Sequence, residues 1–342
     1  MNDLASAAAA LVGPGKGILT ADESTVTMSS RLAAAGVAPT AKNRSAFREM
    51  LVTTPRLASG ISGIVLCDET FRQRLSDGRL VPDALADLGM MTGIRVDAGA
   101  SPLAGTRGET ITEGLDGLLP RLREYAELGA QFATWRAVLR IGPGTPSPLA
   151  VRANAQALGR FTSACQQTGL VAVAAAEALM NGSHTLGHCE TVTSVLLLEV
   201  MNNLHEYGAD FQGVVLKPNM VLPGSDSATH PCPGEVAEAT ISTLNGAPAD
   251  LAGVAFLSGG QRPERATGNL AAMQHTLRLW PLTFAFGRAL VDPALAAWRG
   301  EPGRLPAGQR ALARRVSMNV AAVEGRYTPD LELDLDGVCL PG

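Results

Sequence analysis

Apolar residues gather into eight short runs along the chain, at 17–21, 63–67, 93–96, 132–141, 170–175, 213–216, 253–257 and 282–286. Each run ends in polar or glycine-rich sequence and gives way to a stretch with apolar residues three and four positions apart. The runs read as buried strands and the stretches between them as amphipathic helices, clearest at 46–51, 115–128, 150–168 and 192–207. Several helices begin at caps or first-turn prolines, as in Thr145-Pro-Ser-Pro148. The runs recur every ~30 to 45 residues, which suits strand–helix units joined by right-handed crossovers. No glycine- or serine-rich linker divides the chain. Eight such units predict an α/β fold of one domain, a closed (β/α)8 TIM barrel, rather than a doubly wound open sheet. The barrel is expected over residues 1–327, opened by an alanine-rich capping helix. A tail over 328–342 alternates acid and leucine (Asp330-Leu-Glu-Leu-Asp-Leu-Asp336), the pattern of an edge strand or a loose flap.

Composition narrows the setting. Of 342 residues 46% are hydrophobic and 18% charged, enough apolar material for one large core. A net charge of −4 gives no reason to expect nucleic acid or an anionic membrane as partner. The five cysteines (Cys67, Cys165, Cys189, Cys232, Cys339) form no CxxC pair and read as reduced intracellular thiols. The apolar stretch 4–12 is short and has no basic residue before it, which argues against a signal peptide. No run approaches the roughly 18 apolar residues of a membrane span. A cytoplasmic globular protein is expected.

Active sites of such barrels lie at the carboxyl ends of the strands. Reading round that ring gives Asp22-Glu23, Asp68-Glu69, Asp97, Thr134 with Arg136, Glu177, Lys217, Ser258-Gly-Gly260 and Gly287-Arg288. Strand ends are often polar merely because they meet water. Lys217 is harder to dismiss. Only three of the 28 basic residues are lysine (Lys16, Lys42 and Lys217), and this one follows the apolar run Gly213-Val-Val-Leu216. A lysine desolvated at a barrel mouth loses proton affinity, so its amine can attack a carbonyl near neutral pH. The resulting iminium is an electron sink that permits an adjacent carbon–carbon bond to break or form. Asp22, Glu23 and Glu177 are placed to move protons around it. The plainer alternative is a lysine salt-bridged for structure.

Ser258-Gly-Gly-Gln261 after the seventh run and Gly287-Arg288 after the eighth fit the phosphate site common in these barrels. Glycines expose backbone N–H groups to an anion, and Arg288 can grip it with two donors. Gly13-Pro-Gly-Lys-Gly17 superficially suggests a nucleotide-binding loop. It lacks the spacing and the Ser/Thr after Lys and precedes a strand, so it reads as a turn. His184 and His188 with Cys189 have metal-like spacing, but no further ligand motif accompanies them, and no metal or other cofactor is expected.

Six segments together carry a family resemblance. Lys16-Gly-Ile-Leu-Thr-Ala-Asp-Glu-Ser24, Pro102-Leu-Ala-Gly-Thr106, Gly114-Leu-Asp-Gly-Leu118, Leu216-Lys-Pro-Asn-Met220, Phe256-Leu-Ser-Gly-Gly-Gln261 and Gly287-Arg-Ala-Leu290 resemble, in order, the class I fructose-bisphosphate aldolases. The resemblance implies a metal-free reversible aldol reaction through a Schiff base. In it fructose 1,6-bisphosphate, a sugar phosphate, yields dihydroxyacetone phosphate and glyceraldehyde 3-phosphate. It also implies a homotetramer serving glycolysis or gluconeogenesis. By position, Lys217 would be the nucleophile and Asp22 would contact the substrate hydroxyl at the cleaved bond. Ser258, Gly259, Gly260 and Arg288 would hold the ketone-side phosphate and Arg31 the other, while Arg136 and Arg95 would line the pocket. Glu177 matches the second glutamate of the family's Glu-Pro-Glu.

Two departures stand out. A catalytic lysine of the family is here Thr134, in Phe132-Ala-Thr-Trp-Arg136, and the first glutamate of Glu-Pro-Glu is here Ala175. Strand alternation puts Thr134 on the face of Arg136, and Ala175 on that of Glu177, so both losses should fall inside the pocket. The family's closing tail tyrosine is also missing, the sequence reading Cys339-Leu-Pro-Gly342. Three readings compete: a Schiff-base lyase that keeps the dihydroxyacetone phosphate half-site but has diverged in acceptor or proton route; an ordinary fructose 1,6-bisphosphate aldolase; and a catalytically silent relative kept for binding or assembly.

Overall fold

Each of the eight runs forms a strand in the computed structural model, which describes residues 4–333. They are β1 (Gly17–Ala21), β2 (Ile61–Leu66), β3 (Met91–Arg95), β4 (Phe132–Arg140), β5 (Val171–Leu179), β6 (Val214–Leu216), β7 (Gly253–Phe256) and β8 (Leu282–Phe286). Parallel pairing runs through consecutive neighbours and closes between β8 and β1, giving the predicted barrel. The predicted helices are present with shifted ends: Ala41–Val52, Pro148–Gln167 and Leu186–Glu206 begin earlier than expected, and Leu118–Glu127 is shorter than the expected 115–128. Pro148–Gln167 starts at the Ser147 cap, whose side chain accepts from Ala150 N. Leu186–Glu206 starts at Thr185, which accepts from His188 N.

Alternation along the strands sorts the apolar residues into two layers. Ile18, Val65, Phe132, Val171, Val173, Val215, Ala255 and Ala285 fill the barrel interior. Their sequence neighbours, such as Leu19, Leu66, Ala133, Leu216 and Phe256, belong to the larger layer between barrel and helices. The helix Leu4–Leu11 plugs the amino-terminal end, sending Ala8 and Leu11 into the interior cluster together with Val12. Phe132 crosses the floor over Gly63 and Gly93. A Cβ at those positions would sit 2.9 and 2.2 Å from its ring, so the absence of side chains there makes room for the aromatic.

Two features differ from the sequence-based expectation. A hairpin of Gly99–Pro102 with Thr110–Glu113 stands beyond β3; its runs are too short and polar to register as apolar strands. The start of the tail is not an edge strand. Pro329–Glu332 is a 3-10 turn, with the Glu332 carboxylate 2.7 Å from buried Arg315 and accepting from the Tyr327 hydroxyl at 3.1 Å. That ion pair takes the carboxylate a sheet edge would have left exposed. The remainder of the expected flap, with the sequence end at Gly342, lies outside the described residues.

Candidate active site

The open end of the barrel receives the inward-facing residues that follow each interior layer. On β1 the inward series is Ile18, Thr20, Asp22; on β4 it is Phe132, Thr134, Arg136; on β5 it is Val171, Val173, Ala175, Glu177. Thr134 and Ala175 therefore face the pocket, as alternation requires. Lys217 follows the interior residue Val215 by two, and its backbone N–H bonds Ala174 O at 2.9 Å, which holds it in register with β5. Pro218 comes next, and Asn219 ties the following turn to β5 by accepting from Ala178 N at 2.8 Å.

Lys217 is 8% exposed. Its Nζ donates to Thr20 Oγ1 at 3.2 Å across the barrel. Among the described residues no carboxylate lies within ion-pair distance of it, so the salt-bridged structural lysine is not what the fold builds. Burial pushes its amine below the ordinary lysine value, the charge on Asp22 opposes that, and the Arg136 cation adds to it.

Four further charges ring the amine. Asp22 is half-buried. Asp97 is nearly enclosed, 3.8 Å from Arg95 Nε, and accepts from the backbone N–H of Gly99 and Arg136. Burial raises the Asp97 carboxyl above the ordinary range, and the Asp22 charge pushes it the same way. Glu177 is buried, with Oε2 2.5 Å from Arg136 Nε. Arg136 lies opposite Ala175 in the β4–β5 register, so its side chain spans a position with no competing group to reach Glu177.

The candidate phosphate-site segments, Ser258–Gly260 and Gly287–Arg288, come together between β7 and β8. Gly259 and Gly260 have φ of +57° and +80°, a left-handed turn that suits glycine. A Cβ on Gly260 would lie 3.2 Å from the Arg288 guanidinium. Ser258 is buried, and Arg288 opens the helix Arg288–Trp298, so its cation and that helix's first N–H groups share the same rim.

Other sequence candidates are placed differently. Glu23 is held by Arg31 and, at 3.0 Å, by Arg48, which removes it from proton transfer. Arg31 is also paired with Asp292, so it reaches a second phosphate only by leaving one of these partners. Asp68 and Glu69 serve surface pairs with Arg72 and Arg44. Gly13–Gly17 is a turn leading into β1. His184 and His188 line a cavity of about 820 Å³ between the 142–146 loop and the start of Leu186–Glu206. It lies apart from Lys217, and among the described residues no cluster of three or more His, Cys, Asp or Glu forms a metal site.

With this geometry in view, comparison with known proteins is decisive. The family profile described as fructose-bisphosphate aldolase class-I matches residues 3–336. The chain belongs to the class I fructose-bisphosphate aldolase family. That family consists of aldehyde-lyases. A probable fructose-bisphosphate aldolase class 1 of Xanthomonas campestris is 43% identical over 330 residues, covering 96% of this chain and 99% of that protein. Fructose-bisphosphate aldolase 6, cytosolic, of Arabidopsis thaliana is 44% identical over 335 residues, 97% of this chain and 93% of its own. The fructose-bisphosphate aldolase of Plasmodium falciparum, solved in a ternary complex, superposes with a TM-score of 0.93 at 38% identity over 95% of both chains.

Within the aldolase family frame, the residue that sequence reasoning misses is Thr20. It stands inside the Lys16–Ser24 segment, where nothing local marks it out from its neighbours. The usable signal is its parity with Asp22, two positions on along one strand face. Asp97 is legible as a strand end, but its enclosure is not.

Proposed function

We propose that the chain is a Schiff-base lyase taking dihydroxyacetone phosphate as its ketone half, and that it has diverged in acceptor or in proton route. The observation that carries this reading is a buried amine at the barrel mouth, free of carboxylate pairing, on the same rim as the glycine–arginine cradle. Ketone phosphate held at Ser258, Gly259, Gly260 and Arg288 presents its carbonyl to Lys217. The neutral amine attacks the carbonyl carbon, and loss of water leaves an iminium that draws electrons from the scissile carbon–carbon bond. Asp22, facing the amine, receives the hydroxyl at the cleaved bond, while Arg95 and Arg136 line the pocket toward the acceptor. Glu177 and Asp97 are the carboxyl groups that remain where Ala175 brings none.

The second reading, an ordinary fructose 1,6-bisphosphate aldolase, is favoured by full-length identity above 40% to proteins so named. As parts of the same proposal we include a cytoplasmic location and a homo-oligomer, a tetramer by resemblance. The Arabidopsis relatives are named cytosolic, and no described helix is long and apolar enough to cross a membrane. Exposed Leu149, Val195 and Leu198 on two neighbouring helices offer a second copy apolar surface to cover.

Borohydride added with dihydroxyacetone phosphate should trap a covalent adduct on Lys217, located by peptide mass. An unmodified Lys217 at saturating ketone phosphate removes both readings. Steady-state turnover of fructose 1,6-bisphosphate then separates them, since brisk cleavage contradicts divergence.

A further inference from the structure

We infer that Thr20 is a positioning residue for the nitrogen of Lys217: its hydroxyl oxygen accepts the single N–H of the protonated Schiff base, sets the plane of the imine and keeps it charged. The inference rests on the Schiff-base reading above and adds to it a group assigned no part there.

The geometry is specific. Thr20 Oγ1 lies 3.2 Å from Lys217 Nζ, and the same oxygen is 3.4 Å from Ala285 O. A hydroxyl has one proton to give and two lone pairs to offer. With its proton directed at the Ala285 carbonyl, Thr20 presents a lone pair to Nζ and cannot compete as a donor. Its backbone is fixed as well. Thr20 pairs with Val65 across β2, and Gly287 packs against it so closely that a Cβ there would lie 3.2 Å from Thr20 O.

The chemistry needs such an acceptor. Condensation takes a ketone, a primary amine and one proton to a protonated imine and one water. The carbonyl oxygen leaves as that water, carrying one hydrogen from Nζ and the added proton, while Nζ keeps its other hydrogen. Burial that lowers the proton affinity of the free amine also disfavours the cationic iminium, which is the electron sink. A neutral oxygen aimed at the remaining N–H stabilises the cation without adding a competing base or nucleophile. Because an iminium N–H lies in the plane of the C=N bond, the direction of this hydrogen bond orients that plane relative to Asp22 and the cradle. Among the described residues Thr20 is the one side chain within hydrogen-bonding distance of Nζ.

The test uses Thr20→Val, which keeps the shape and removes the oxygen, and Thr20→Ser, which keeps the oxygen. The probe is dihydroxyacetone phosphate in deuterium oxide. NMR follows exchange of the proton on its hydroxymethyl carbon, a step that needs the iminium but no acceptor aldehyde. Loss of one hydrogen bond to a charged group predicts a fall of roughly 10- to 100-fold in exchange at saturating ketone for Thr20→Val. Its alkaline limb should move to lower pH, since a less stabilised iminium deprotonates sooner. Thr20→Ser should restore both. Borohydride should still label Lys217 in Thr20→Val, which shows a folded, binding-competent site. Exchange rate and alkaline limb unchanged in Thr20→Val, or lost equally in Thr20→Ser, would overturn the inference. Absence of the adduct in the unmutated protein would instead remove the Schiff-base reading itself.

Discussion

Arg136 and Glu177 are joined by a 2.5 Å contact that bridges two adjacent barrel strands over the empty position of Ala175. Among the described residues this bridge is the hydrogen bond that holds the Glu177 carboxylate, and it engages Oε2. It also ties the half-exposed Arg136 side chain to β5 at the barrel mouth.

Glu177→Gln tests what that carboxyl does. The amide keeps the shape and an acceptor for Arg136 but cannot carry a proton away. If Glu177 has the shuttle role that Ala175 has lost, turnover should fall about 10²–10⁴-fold with little change in KM. A rise in KM at constant kcat would reduce Glu177 to an orienting partner of Arg136.

Restoring the two missing family groups should be informative as a pair. Thr134 is buried, its hydroxyl donating to Val173 O at 3.1 Å, and Ala175 faces Arg136. Thr134→Lys with Ala175→Glu adds a cation near Lys217 and a carboxyl beside Arg136, and cleavage of fructose 1,6-bisphosphate should rise. Ala175→Glu alone should do less, because the new carboxylate meets an arginine already paired with Glu177. No gain in the double variant would mean that the pocket has been rebuilt more deeply.

Asp97 predicts a pH-dependent stability. Burial holds its folded-state affinity for a proton above that of the unfolded chain, whose carboxyl titrates near the ordinary 3.8. For a group raised in this way, the stabilising contribution is complete below the unfolded value and is lost as pH rises through the folded one. At neutral pH the protein therefore carries a buried carboxylate that Asp97→Asn lacks. The variant should melt above the parent at neutral pH, and the difference should shrink as pH falls toward about 4. A difference independent of pH would show that Asp97 is not strained by burial.

Several of these features are legible without any coordinates. Hydrophobic runs at regular intervals are a local property, and eight of them with no linker leave few closed arrangements, so the barrel follows. Two-residue alternation likewise determines that Lys217, Thr134 and Ala175 face inward, because parity on a strand needs no knowledge of its neighbours. The scarcity of lysine singles out Lys217.

What pairs with what was decided only by the tertiary structure. Thr20 and Lys217 are 197 positions apart and meet because the barrel closes. Glu23 has the same chemical means to shuttle protons as Asp22, yet it is turned to Arg31 and Arg48 while the charge of its neighbour acts on the amine. The tail's acid–leucine alternation has the pattern of a strand, but Arg315 captures Glu332 and the chain turns there instead. Sequence determines which face of its own strand a side chain occupies; which distant charge or hydroxyl stands opposite depends on strand stagger and helix placement, and those are set by packing of the whole chain.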